Sequence, residues 1–168
     1  MSAAEDEQAK PSAAHAGSSL KARALRLLAG RDWGRVELER KLAAHAESAE
    51  QLQAALDDLQ AKGFISDERA AASLLHRRAG KLGAARVLQE LRQKGFDANL
   101  IAAQAGLLQE TEENRIQSVW QKKFGTAPQN AAEKAKQMRF LASRGFASSA
   151  ISQLMRHLPL LGQEDLEE

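Results

Sequence analysis

Apolar residues recur along the chain with the period of an α-helix. Leu20, Ala24, Leu27 and Leu28 form one stripe that closes near Gly30, and Val36, Leu38 and Leu42 form a second. Leu52, Ala55, Leu56 and Leu59 fall at i, i+3, i+4 and i+7, and Gly63 follows as the left-handed residue past a helix end. Asp67 stands where it would cap the next helix, which carries Leu74 and Leu75. Val87, Leu88 and Leu91 mark the core side of a helix over 83–94, so Arg86, Gln89 and Gln93 face outward. Ile116, Val119, Trp120 and Phe124 make a further stripe, which places Trp120 in a core. Trp33, beside Gly34, reads as the staple of a helix start. No stretch alternates apolar and polar residues as a half-buried strand would. The pattern predicts an all-α chain.

The pattern also repeats. Leu91-Arg92-Gln93-Lys94-Gly95-Phe96 recurs 50 residues later as Leu141-Ala142-Ser143-Arg144-Gly145-Phe146, and Leu42 lies 49 residues before Leu91. Leu52, Ile101 and Ile151 keep the same spacing, and Ser48, Asp97 and Ser148 fall at or one residue from equivalent capping positions. Leu59-Gln60-Ala61-Lys62-Gly63-Phe64 has the same local form at a different junction. The motif is a helix stop. A base in the last turn complements the helix dipole, glycine takes the positive φ that ends the helix, and Phe packs back onto the apolar stripe. About fifty residues hold three short helices with short loops. Three tandem three-helix units are therefore predicted over 20–63, 64–107 and 108–161. Their second and third helices align well and their first helices poorly. Residues 1–19 read as a disordered tail, and 162–168 as an acidic tail beyond a stop at Pro159.

Composition narrows the chemistry. Apolar residues make up 43% of the chain but aromatics only 4%, so the core must be built from Leu, Ala, Ile, Val and Met. The chain has no cysteine, which excludes disulfides and thiolate metal sites and suits a reducing cytoplasm. Its apolar runs are too short to span a bilayer, and its N-terminus lacks the hydrophobic stretch of a secretory signal. His15, His45, His76 and His157 are not paired at metal-ligand spacing. There is no phosphate-binding glycine loop and no Gly-x-Ser-x-Gly elbow. The acids lie among bases at helical spacing, as Glu37 does four residues before Lys41. Asp57, Asp58, Glu112 and Glu113 look like exposed or first-turn acids. The sequence thus predicts no enzyme, no metal and no cofactor.

The formal net charge of +2 hides an asymmetry. Between Leu20 and Leu158 lie 23 bases and 15 acids, a net of about +8, flanked by acidic ends. Bases cluster in every unit: Arg31, Arg35, Arg40 and Lys41 in the first, and Lys122 and Lys123 early in the third. The candidate contact residues are Arg77, Arg78, Arg86, Arg92 and Lys94 in the second unit, and Lys134, Lys136, Arg139 and Arg144 in the third. Arg77, Arg86, Arg92 and Lys94 are central, because the second unit lies midway along the array. A row of bases across stacked units suits a phosphate backbone or an acidic filament groove. An independent nucleic-acid-binding module and a structural adaptor with merely solvated bases remain alternatives.

Three stretches carry a family resemblance. They are Arg31 to Leu42 with Val36-Glu37-Leu38-Glu39-Arg40-Lys41-Leu42, Gly83 to Gly95 with Arg86-Val87-Leu88-Gln89-Glu90-Leu91, and Lys134 to Phe146 with Arg139-Phe140-Leu141-Ala142-Ser143-Arg144-Gly145-Phe146. The chain resembles the RecX regulatory proteins, modulators of the bacterial RecA recombinase, from about Leu20 to Leu158. The resemblance implies tandem three-helix repeats in an elongated, curved array that binds in the groove of the RecA–DNA filament. It implies inhibition of filament extension, and so of ATP hydrolysis, strand exchange and coprotease activity. The implied partner is the RecA filament, with DNA contacted weakly or through it, no membrane, and a monomeric chain. Two departures stand out. Ala70 and Leu74 occupy places where the family favours aromatics, thinning the second core, and Gly34 stands where a Ser cap is usual, at a cost of a few tenths of a kcal/mol.

Overall fold

The computed structural model describes residues 19–161; the tails expected at 1–19 (apart from Ser19) and 162–168 lie outside the described residues. Within them the chain is helix after helix, as its periodicity requires. The helices are α1 (Leu20–Gly30), α2 (Arg35–Leu42), α3 (Ala49–Ala61), α4 (Asp67–Arg78), α5 (Ala84–Gln93), α6 (Ala98–Glu110), α7 (Glu112–Lys123), α8 (Ala131–Ser143) and α9 (Ser148–Leu161), with a short 3₁₀ turn at Ala43–His45. Side-chain caps start most of them. Ser19, Ser48, Ser66, Asp97 and Asn130 accept hydrogen bonds from the backbone N–H groups of Ala22, Gln51, Arg69, Asn99 and Glu133. Ser66 rather than Asp67 therefore caps α4. Asp67 is the first helical residue, and its carboxylate is turned to another helix.

Three hydrophobic clusters follow one another along the chain. Leu20, Ala24, Leu38, Leu42, Leu52, Leu56 and Leu59 centre the first. Ala71, Leu74, Val87, Leu91, Phe96, Ile101 and Leu108 centre the second, and Ile116, Trp120, Leu141, Phe146, Ile151 and Met155 the third. Leu42, Leu91 and Leu141 occupy like places, each almost wholly buried at the heart of its own cluster. Leu52, Ile101 and Ile151 are buried likewise. Each such leucine stabilises its unit by about 2 kcal/mol through burial. Ala70 and Leu74 are both buried, so the second core closes over these smaller side chains.

The helix stops have the predicted form. Gly95 and Gly145 sit at φ +80° and +88°, and the N–H groups of Phe96 and Phe146 donate back to the carbonyls of Leu91 and Leu141. Both Phe rings are buried. The third copy differs. Gly63 turns at φ +79° and the Phe64 N–H donates to Leu59, but the Phe64 side chain is 48% exposed. This stop ends a third helix, and Ile65, one residue on, takes the buried place instead. Two boundaries also shift. α6 runs through the expected division at 107/108 to Glu110, with Leu108 buried in the second cluster. α9 passes the stop expected at Pro159 and ends at Leu161.

Candidate functional site

Two junctions position the site, and both are built around a glycine. α2 starts at Gly34 and α5 at Gly83, neither of which has a side chain to cap its helix. The cap comes from the next unit. Asp67 Oδ1 accepts from the Arg35 N–H at 2.8 Å, while Glu112 Oε1 accepts from the N–H groups of Ala84 and Ala147, each at 3.4 Å. The glycines allow close approach. A Cβ on Gly34 would lie 2.9 Å from Cε1 and Cζ of Phe96, and one on Gly83 would overlap the Gly145 carbonyl and the Phe146 N–H. Gly34 is thus more than a weakened cap; a serine there would have to displace the Phe96 ring.

The start of one unit's second helix therefore rests on the helix stop of the next. Arg40 donates to the carbonyl of Gln93 at 2.7 Å, and Arg86 to that of Ser143 at 3.1 Å. The N–H groups of Gly83 and Ala85 donate to the carbonyls of Arg144 and Gly145. Arg115 fastens the second junction further, donating to the carbonyls of Ala79, Leu82 and Leu108. Burial pulls the Arg115 guanidinium below its ordinary pKa, an effect the neighbouring Glu112 carboxylate partly offsets. Arg69 plays a lighter version of this part, donating to the carbonyls of Gly63 and Phe64 and meeting Asp32 at 3.4 Å.

The junctions differ in charge. At the first, Glu37 holds Arg31 at 2.8 Å and Lys94 at 2.6 Å. Burial pushes the Glu37 carboxyl up, but hydrogen bonds from Arg31 and Lys94 and the charges of both outweigh it and leave its pKa lowered. Glu37 is thus spent on these two bases rather than on the expected surface pair with Lys41. At the second junction the place of Glu37, 49 residues on, is taken by Arg86, and the place of Lys94, 50 residues on, by Arg144.

Arg78, Arg86, Lys94 and Arg144, four of the nine candidate residues, line one groove of about 730 Å³ with Gln89, Glu90 and Gln93. Arg78 is paired with Glu90 at 3.0 Å. A smaller pocket of about 240 Å³ shares Arg144 and adds Lys81, Lys122 and Lys123 around Phe140. The Arg144 and Lys123 cations lie 5.0 and 5.4 Å from the Phe140 ring centroid. The remaining candidates lie elsewhere. Arg77 donates to Ser73 on its own helix, and Arg92 lines a separate apolar groove with Leu88, Phe96 and Ile101. Lys134, Lys136 and Arg139 are exposed on α8, outside both pockets.

Other cations of the first unit are engaged internally. Arg35 pairs with Asp57 at 2.6 Å, and Arg31 covers the Trp33 ring at 3.6 Å. Trp33 Nε1 donates to the Leu27 carbonyl, so this indole closes the turn between α1 and α2. Trp120 is buried, and its Nε1 donates to Gln137 Oε1 at 2.7 Å. Asp58 meets both Lys21 and Lys62. Among the described residues no three His, Asp or Glu side chains gather as a metal site would, and no helix is long and apolar enough to cross a membrane.

The candidate list lacked Lys81, Lys122 and Lys123, whose signal was their placement within the basic clusters. It also lacked Arg115, Asp67 and Glu112, whose partners lie about thirty residues or more away in sequence.

Comparison with known proteins fits this architecture. A family model described as the third three-helix domain of RecX matches residues 110–155, and one described as the second matches 66–103. Regulatory protein RecX of Leptothrix cholodnii is 48% identical over 138 residues, covering 82% of this chain and 88% of that one. Regulatory protein RecX of Ralstonia pickettii is 45% identical over 137 residues, covering 82% and 86%. The crystal structure of RecX from Lactobacillus salivarius superposes with a TM-score of 0.70 at 22% identity, covering 84% of this chain and 95% of that one, a likeness of fold. On its sequence and its tandem three-helix architecture, the chain belongs to the RecX family of regulatory proteins.

Proposed function

We propose that the chain is a cytoplasmic, monomeric regulator that binds the RecA–DNA filament and blocks its extension, lowering ATP hydrolysis, strand exchange and coprotease activity. The observation that carries this is the groove lined by Arg86 and Arg144, neither of which has a carboxylate partner among the described residues, in a chain of the RecX family. Such a groove fits a partner that presents repeated negative charge, as a nucleoprotein filament does. The chain acts here by occupancy, and the ATP chemistry belongs to the filament.

The test is ATP hydrolysis by RecA on single-stranded DNA with the chain added. Inhibition at well below one chain per RecA supports blocked extension, and undiminished hydrolysis at equimolar chain overturns it. Reversing Arg144 and Lys123 to Glu removes the inhibition, while reversing Lys134 and Lys136, outside both the groove and the smaller pocket, leaves most of it. An independent nucleic-acid-binding module would use the same groove. It is told apart by tight, salt-sensitive DNA binding with no effect on hydrolysis.

A further inference from the structure

The two junctions are copies of one arrangement with a single charge reversed. At the first, Glu37 is an internal counter-ion for Lys94, and the pair ties the first unit to the second. At the second, Arg86 and Arg144 replace that pair. The Arg86 stem packs on Gly145, and its guanidinium donates through Nη1 to the Ser143 carbonyl. Among the described residues, neither arginine has a carboxylate partner, and the Arg144 guanidinium lies over the Phe140 ring, 5.0 Å from its centroid. The nearby acids are committed elsewhere, Glu90 to Arg78 and Glu112 to two backbone N–H groups. Both arginines are exposed, so their mutual repulsion is screened by water, and an anion bound between them adds a favourable counter-charge to the junction.

We infer that a phosphate of a nucleic-acid backbone, lying between Arg86 and Arg144, supplies the counter-charge that Glu37 supplies at the first junction, and so fastens the third unit to the second. This rests on the groove being the working face of the chain. A guanidinium fork matches the acceptor oxygens of a phosphate, and Arg86 and Arg144 line one groove from different units, so a phosphate that reaches both ties the units together. Gln89 and Gln93 add neutral donors on the same wall. Beyond Arg144 the cations continue as Lys81, Lys122 and Lys123, so a ligand with regularly repeated charge gains more than a lone anion does. The counter-charge of the first junction comes from the protein itself, and that of the second comes from its ligand.

The inference is tested by transplanting one junction onto the other. Arg86→Glu with Gln89→Arg places the equivalents of Glu37 and Arg40 on α5. The full chain and this variant are titrated against a labelled single-stranded oligothymidylate over a range of salt, and amide exchange is followed at Gly83 and Ala85, whose N–H groups cross the junction. For the unaltered chain, the oligonucleotide slows exchange at both amides. The variant exchanges slowly without ligand, binds about tenfold or more weakly, and has a salt slope lower by about one to two. Should the variant fail to fold, Arg86→Gln serves: it weakens binding without slowing exchange. Pyrophosphate at equal phosphate concentration protects less than the oligonucleotide, and polyglutamate of equal charge competes poorly. Unchanged oligonucleotide binding in both variants, binding that leaves Gly83 and Ala85 unprotected, or polyglutamate competing as well as the oligonucleotide would each overturn the inference. RecA inhibition is scored separately. Its absence alongside ligand-induced protection would sink the RecA proposal and leave the clamp standing.

Discussion

At the first junction Gly34 meets the far edge of the Phe96 ring, whereas at the second Gly83 lies against the Gly145 backbone itself. The first is looser in packing but holds its own counter-charge, with Glu37 between Arg31 and Lys94. The second is tighter in packing, with Arg115 pinned to three carbonyls, but among the described residues it leaves Arg86 and Arg144 without a carboxylate partner. One repeat has thus been tuned in two directions. The first junction carries an internal counter-ion; the second relies on backbone packing, and on the proposed reading its open charge is what a ligand meets.

The packing half of this contrast breaks most visibly with an added methyl group. Gly83→Ala forces two backbone segments apart and is expected to cost about 3 kcal/mol. Gly34→Ala asks only the end of the Phe96 ring to move and is expected to cost about 1 kcal/mol. Chemical denaturation of the two variants measures the difference. Equal losses would mean that the second junction gives as readily as the first. Next in size is Arg115→Met, which keeps much of the stem and removes the donors to Ala79, Leu82 and Leu108; about 2 kcal/mol is expected. Arg69→Met at the first junction, with its side chain half exposed, is expected to cost under about 1 kcal/mol. A reversed order would show that Arg115 is replaceable.

The capping carboxylates make a smaller contrast. Asp67 reaches the Arg35 N–H at 2.8 Å, so Asp67→Ala is expected to cost about 1 kcal/mol. Glu112 divides itself between two N–H groups at 3.4 Å, and Glu112→Ala is expected to cost only a few tenths of a kcal/mol. Thermal unfolding of the two variants under one buffer gives the order directly.

These junctions also show how far the sequence could be read. The helices were legible because Leu and Ala at helical spacing leave little choice, and the repeat because a stop needs Leu, Gly and Phe in fixed order. Arg86 could be turned outward from Val87, Leu88 and Leu91 alone. What one helix receives from another was hidden. Asp67 looked like the cap of its own helix because local capping is the commonest use of such a residue, yet Ser66 does that work and Asp67 serves a helix 32 residues back. Glu37 and Lys41 are four apart on one helix, but Lys94 and Arg31 reach Glu37 from other segments. Nor could spacing separate Arg92, beside an apolar groove, from Arg86 and Arg144, which share a basic one.

The charge half of the contrast is sharpened by acid. The Glu37 carboxyl loses its proton at lower pH in the folded chain than in the unfolded chain, where its ordinary value is 4.5. A depressed carboxyl stabilises fully above that ordinary value, and the stabilisation is lost as pH falls through the folded value. Glu37→Gln is therefore expected to cost about 1 kcal/mol or less near neutrality, and its deficit against the unaltered chain should shrink steadily below pH 4.5. Arg86→Gln removes no group that titrates in that window, so its offset should stay nearly constant over the same range. Unfolding free energies of the three chains, measured from neutrality into acid, decide the matter. A Glu37→Gln deficit that persists undiminished in acid would mean that the side chain's shape, rather than its charge, holds the first junction, and the distinction between a neutralised and an open junction would lose its physical basis.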